Sequence, residues 1–173
     1  MVLCALFAAL IAVGAYIRIP TPLAPVTLQT MFVTMSGLVL GWKYATVSAL
    51  IYVCLGLVGL PVFAGGGGVS YLLNPTFGYI MGFVVCAALS GLLSEKIACN
   101  NFRKNLLCSC IGLIPVYVIG VGYFAVISYC VSEAVVNLSE ILLWGAAIFL
   151  PGDLIMCAIA SFLSVKLKKA IRF

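Results

Sequence analysis

Leu106–Ser128 reads LLCSCIGLIPVYVIGVGYFAVIS, and no charged side chain interrupts it. A helix needs about 20 predominantly apolar residues to cross the hydrocarbon core of a bilayer, so this stretch is long enough to span one. Its apolar residues face every side instead of alternating with polar ones, which argues against a strand of a membrane barrel. The rest of the chain has the same character. Of its 173 residues, 65% are apolar, 8% are charged and none is histidine, and the mean hydropathy is +1.31. A soluble domain carries about a quarter of its residues as charges. This composition excludes a soluble globular domain, a disordered tail and a nucleic-acid binder, whose contacts need a basic surface facing water.

Five more apolar runs, bounded by charge, proline or glycine, bring the expected spans to six. They cover about residues 3–17, 28–40, 44–60, 76–93, 106–128 and 140–165 of a single domain, 1–173. The expected fold class is an all-α membrane protein with six transmembrane helices. The first run closes at Arg18 and at Pro20, Pro22 and Pro25. The second is short and is expected to borrow residues from that proline-rich lead-in, as a re-entrant segment. The sixth is interrupted by Pro151-Gly152 and ends in a basic tail.

Six spans put both ends of the chain on one side. The loops and tail there hold Lys43, Lys96, Arg103, Lys104, Lys166, Lys168, Lys169 and Arg172, whereas the other side holds Arg18 with Glu133 and Glu140. The positive-inside rule then makes both termini cytoplasmic. The basic tail also fits a lipid-binding patch, although topology alone accounts for it. No basic segment precedes the first run, which argues against a cleaved signal peptide; a start a few cytoplasmic residues late fits equally.

Eight cysteines in a short secreted chain would indicate a disulfide scaffold. Here Cys4, Cys54, Cys86 and Cys157 fall inside spans, Cys99, Cys108 and Cys110 lie near the basic side, and Cys130 alone is near the other face. Cys108-Ser109-Cys110 has metal-pair spacing, but there is no histidine and no second pair. Small apolar filling of helix contacts is the expected role, with no metal and no cofactor.

Four features depart from plain apolar helix. Asp153 is the acidic residue inside a span, where a carboxylate is costly and by default marks a ligand, ion or proton site. Pro151-Gly152 before it breaks or kinks the helix, so Asp153 is expected at the start of a new helical stretch, where exposed N–H groups favour it. A helix cap or a neutral buried carboxyl is the plainer alternative. The second feature is the run Gly59-Leu60-Pro61-Val62-Phe63-Ala64-Gly65-Gly66-Gly67-Gly68. Four successive glycines suit a water-exposed linker, yet Pro61, Phe63 and Tyr71 flank them. That favours a lid over the helix mouths, with bare backbone at Gly66 and Gly67 able to approach a ligand. Third, Asn74-Pro75-Thr76-Phe77-Gly78-Tyr79 opens the fourth helix, with Pro75 at an early helical position. Asn74 and Tyr79 offer polar groups at the membrane edge; an N-cap and an interfacial tyrosine explain them equally. Fourth, Ala5 and Ala9, and Ala8 and Ala12, are four apart in the first helix, a spacing that lets another helix approach closely. Packing within the monomer accounts for it too.

Pro25-Val26-Thr27-Leu28-Gln29-Thr30, Gly59-Leu60-Pro61-Val62-Phe63-Ala64-Gly65-Gly66, Pro75-Thr76-Phe77-Gly78-Tyr79 with Gly82-Phe83, and Pro151-Gly152-Asp153 occur in this order. Together they resemble the BioY family, the biotin-specific S components of energy-coupling-factor transporters, over nearly the whole chain. The resemblance implies the six-helix S-component fold and binding of biotin from outside the cytoplasmic membrane. It also implies partners: a transmembrane scaffold subunit and two cytoplasmic ATPases. On the same resemblance, Ala8 and Ala12 look like the family's scaffold-contacting Ala-xxx-Ala, and Asp153 like its ligand-binding carboxylate. Two positions depart from the pattern. Met156 stands where the family often has a lysine, one turn after the aspartate, so Arg18 or a water is expected to compensate, unless the pocket differs. Phe77 stands where glycine is more usual and is expected to intrude on the pocket or close it.

Biotin fits these residues chemically. Its cyclic urea has two N–H donors and one carbonyl. Asp153 can accept from the ureido N–H groups in charge-assisted bonds, and Asn74 or Tyr79 can donate to the oxygen. Phe63, Tyr71 and Trp144 are candidates to pack the sulfur ring, with Trp144 equally an interfacial anchor. Arg18 is a candidate for the valerate carboxylate, or it snorkels to headgroups. An S component for another vitamin is the nearest rival. The chain lacks the ATP-binding signature Gly-xxxx-Gly-Lys-Ser/Thr, so ATP-driven transport needs partners, and a solitary facilitator remains open. An intramembrane enzyme is the distant third reading, because no nucleophile–base pair is visible.

Overall fold

A computed structural model of the chain describes residues 1–19, 26–97, 101–131 and 143–170. Among the described residues there are six α-helices: α1 (Val2–Tyr16), α2 (Gln29–Leu40), α3 (Trp42–Leu57), α4 (Phe77–Lys96), α5 (Phe102–Val131) and α6 (Leu150–Ala170). Three helical stretches, Phe77–Lys96, Phe102–Cys130 and Gly145–Lys169, are long and apolar enough to cross a membrane, and the other three are shorter apolar helices. A two-residue antiparallel ladder, β1 (Arg18–Ile19) with β2 (Val26–Thr27), pairs Arg18 with Thr27 across the connection between α1 and α2.

The helices outrun or fall short of the apolar runs for local reasons. α5 begins a turn earlier than its apolar run, at Phe102, because a helix continues past the edge of the hydrocarbon while its polar side chains meet water. The segment expected to span 140–165 divides instead. A wide turn occupies Leu143–Ala147, and α6 starts afresh at Leu150. Pro151 therefore stands in the first turn of α6, where a missing N–H costs nothing, instead of interrupting a longer helix. α2 and α3 meet at the single residue Gly41, whose φ of 78° is open to glycine. A Cβ there would collide with the Glu95 carboxylate, which accepts the Trp42 N–H at 3.1 Å.

α2 is the centre of the bundle, in contact with all five other helices. Small residues set the spacing around it and around α4. A Cβ on Gly82 would stand 2.7 Å from the Val116 Cα, and one on Gly91 would meet the Trp42 backbone. Close backbone approach of this kind supplies packing where lipid removes the hydrophobic drive between helices. Most of the core is one cluster reaching from Ala8 and Ile11 through Tyr52, Phe63 and Phe83 to Cys157. Phe7, Met31, Met35 and Ala160 form a second cluster, against which Met156 packs. Cys86 and Cys157 are buried thiols of the main cluster, and Cys4 is also buried.

Lys168 donates to the Ser94 hydroxyl at 3.0 Å, and Ser94 donates to the Leu38 carbonyl at 3.2 Å. The C-terminal ends of α2, α4 and α6 thus share one end of the bundle with Lys43 and Lys96. Arg18 lies at the opposite end.

Candidate functional site

At the end away from the lysines, the connection between α3 and α4 folds down onto the helices. Phe63 is the plug: it is 2% exposed, and its ring meets Tyr52 edge-on at 5.4 Å and Tyr71 at 4.8 Å. Gly56 leaves the space for it, since a Cβ there would strike the Phe63 ring. Behind the plug the chain doubles back tightly. Phe63 and Gly66 exchange backbone hydrogen bonds at 2.9 and 3.1 Å, and Gly68 donates to the Gly56 carbonyl at 2.7 Å. Three side chains from neighbouring elements hold the loop by its carbonyls: Tyr16 bonds Pro61, Arg18 bonds Ala64 and Tyr123 bonds Leu72. The glycine run is therefore a packed cover on the bundle.

Beneath it is a narrow, partly enclosed cavity of about 70 Å³. Thr27 comes from β2, Gln29 and Thr30 from the start of α2, and Ala64, Tyr71 and Thr76 from the cover. α4 contributes Tyr79, Ile80 and Phe83, α5 contributes Val116 and Tyr117, and Phe149 and Asp153 complete the wall. One side is thus apolar and aromatic, and the other carries hydroxyls, an amide and a carboxylate.

Asp153 sits in the first turn of α6, its N–H bonded to the Phe149 carbonyl at 2.9 Å. It is 8% exposed. Tyr117 donates its hydroxyl to Asp153 Oδ2 at 2.6 Å, with Thr30 beside the same carboxylate. Gln29 is held on both sides: it donates to the Tyr52 hydroxyl at 2.5 Å and accepts from Thr27 at 3.1 Å. Polar groups fixed in this way meet a ligand without further ordering. The arrangement can accept N–H donors at Asp153 and enclose a compact ring between Phe83, Val116 and Phe149.

Of the residues singled out in the sequence, Asp153, Tyr71 and Tyr79 line this cavity. Tyr79 donates to the Gly145 carbonyl at 2.7 Å, so its hydroxyl proton is already committed. Asn74 stands off the wall. Its Oδ1 accepts the Thr76 N–H at 3.0 Å and the Thr76 hydroxyl at 2.7 Å, which makes it a local cap that presents Thr76. Phe63 backs Tyr71, and Gly66 and Gly67 shape the cover, with Ala64 as its contribution to the wall. Arg18 spends its guanidinium on the Ala64 carbonyl. The side chain of Trp144 lies outside the described residues. Phe77 does not intrude on the cavity; it is 5% exposed and packs edge-on against Phe63 at 6.4 Å and Tyr123 at 6.0 Å. Met156 turns into the second core cluster, so the partner of Asp153 is Tyr117. In α1, Ala8 is 3% exposed and Ala12 packs against the same core, whereas Ala5 and Ala9 face outward.

Gln29, Thr30, Thr76 and Tyr117 escaped the reading of single residues. The signal for the first two was present, because Gln-Thr at the head of an apolar run is a polar pair at membrane depth. Tyr117 carried none: a tyrosine inside an apolar run is ordinary. Among the described residues no group of three or more His, Cys, Asp or Glu side chains is placed to hold a metal ion.

The fold and the cavity define a membrane-embedded six-helix bundle with a small-molecule pocket at one end. Over residues 1–173 the sequence matches the model of the BioY family, and the chain belongs to that family. It is 38% identical to a probable biotin transporter BioY of Lysinibacillus sphaericus, over 99% of this chain and 88% of that one. It is 39% identical to the biotin transporter BioY of Thermotoga maritima, over 95% and 92%. In three dimensions it is similar to the crystal structure of the S-component for biotin from an ECF-type ABC transporter. That match has a TM-score of 0.85 and 28% identity, covering 97% of this chain and 89% of that one.

Proposed function

We propose that the chain is the biotin-binding S component of an energy-coupling-factor uptake transporter in the cell membrane, and that the cavity under the cover is its biotin site. The carrying observation is the buried carboxylate of Asp153, oriented by Tyr117 on the polar side of a cavity whose other side is apolar and aromatic. Biotin's cyclic urea needs such an acceptor for its N–H groups, and its sulfur ring needs the aromatic wall. Gln29, with the amide proton not given to Tyr52, is the candidate donor for the ureido oxygen, because Tyr79 is tied to Gly145 and the Thr76 hydroxyl to Asn74. Arg18 acts on the ligand through the cover it clamps.

ATP-driven transport calls for partners that hydrolyse ATP, since the chain carries no nucleotide-binding signature. A scaffold subunit with two ATPases fits that need. The outward stripe of α1, with Ala5 and Ala9, supports the scaffold contact better than Ala8, which is enclosed. Both termini belong on the cytoplasmic side with the lysines, which leaves the pocket mouth facing outside.

Titration calorimetry in detergent with biotin, after mass analysis of any co-purified small molecule, tests the reading. Asp153→Asn is expected to weaken biotin binding about 10- to 100-fold, because a buried ureido donor loses its charged acceptor. Unchanged affinity would remove Asp153 from the site. Recovery of a different vitamin that biotin fails to displace would overturn the ligand.

A further inference from the structure

No charged side chain occurs between Lys43 and Glu95. The connection between α3 and α4, residues 58–76, therefore carries none, although such connections ordinarily meet water. It turns apolar side chains outward instead. Val58 is 84% exposed, Val69 68%, Leu73 67% and Leu60 48%. Between them Tyr71 is turned inward onto the cavity. The short 3-10 helix Val69–Leu73 thus has two faces, one building the pocket wall and one left exposed among the described residues. At the start of the same connection, Val58 adjoins the exposed apolar residues Leu50 and Leu55 of α3. Tyr123 ties the other margin to α5 through the Leu72 carbonyl. Exposed apolar side chains without a charge among them mark a surface received by something apolar.

We infer that residues 58–76 lie in the bilayer interface at the pocket end, with Val69 and Leu73 inserted among lipid acyl chains, so that the pocket wall bearing Tyr71 and Ala64 is anchored to lipid. Lipid is the occupant because Val58, at the root of the connection, shares an apolar surface with Val47, Leu50 and Leu55 of α3, and the connection lacks the charges that fix a protein partner's register. Irregular backbone exposed to lipid needs water for its polar groups. The loop therefore rests at the headgroup–acyl boundary, about 5–10 Å deep, as interfacial helices do. Moving this wall to admit a ligand then means moving apolar side chains within the interface.

Tryptophan fluorescence in phosphatidylcholine vesicles, without biotin, tests this independently of the proposed ligand. Leu73→Trp and Val69→Trp are made separately in a chain carrying Trp42→Phe and Trp144→Phe. Ile114→Trp, on the exposed side of α5, is the lipid reference, and Arg103→Trp, at the basic end, is the water reference. Both loop tryptophans are expected to be quenched by lipids brominated in the upper acyl chain, at half or more of the Ile114→Trp efficiency. They should also resist aqueous iodide. Iodide quenching as strong as at Arg103→Trp, without bromolipid quenching, would overturn the inference. Quenching by neither would overturn it too, because it would mean that protein covers the face.

Discussion

Tyr117 and Asp153 meet at 2.6 Å across the space between α5 and α6, and that contact decides how the carboxylate presents itself. A buried carboxylate without a donor rotates and seeks water; one bonded by a phenol offers its free lone pairs in one direction. Tyr117→Phe keeps the ring and removes the bond. A hydrogen bond to a charged group contributes about 1.5–3 kcal/mol, and part of that is transferred to the orientation of the ligand. Biotin affinity in the Phe variant is expected to fall about tenfold by calorimetry, a smaller loss than for Asp153→Asn. Equal affinity would mean that the carboxylate is positioned by its helix turn alone. Asp153 was legible in the sequence because an acid within an apolar run is rare. Tyr117 was not, because its meaning depends on a partner 36 residues away.

Helices were the most readable elements, since uninterrupted apolar length is a direct statement about lipid. Their faces were less readable. α1 offers the same small-residue spacing in two registers, Ala5 with Ala9 and Ala8 with Ala12, and the spacing alone does not say which faces in. Burial does: Ala8 packs with Ile11 in the main core, and Ala9 is outside. The two positions are expected to behave differently. Ala8→Trp forces a large ring into a filled site, at a cost beyond the ~1–3 kcal/mol of smaller insertions, and should lower both the thermal midpoint and biotin binding. Ala9→Trp should leave both intact and abolish uptake in cells that supply the coupling subunits. Full uptake with Ala9→Trp would exclude that stripe as the contact. The cover over the pocket was half legible. Pro61, Phe63 and Tyr71 signalled a packed loop, but its fastening by Tyr16, Arg18 and Tyr123 joins residues distant in the chain.

At the scale of the molecule, charge and pocket sit at opposite ends of one bundle. The lysine-rich end holds Lys43, Lys96 and Lys168, while the mouth beside Asp153 has Arg18. A fluorescent protein joined to the C-terminus is therefore expected to fluoresce in a bacterial host, and an exported phosphatase joined there to stay inactive. An active phosphatase would invert the whole arrangement and turn the pocket inward.

The position of α2 has a consequence for how such a protein is made. No residue of α2 is exposed, and Gln29, Thr30, Thr34 and Ser36 are all buried within it. Its 12 residues reach about 18 Å, against a hydrocarbon thickness of about 30 Å. The insertion machinery sorts segments by length and hydropathy, and by length α2 is a poor passenger by itself. It is expected to enter the bilayer together with α1 or α3, the neighbours it packs against in the folded bundle. The helix that carries the polar side of the pocket is thus the one whose biogenesis depends on its neighbours.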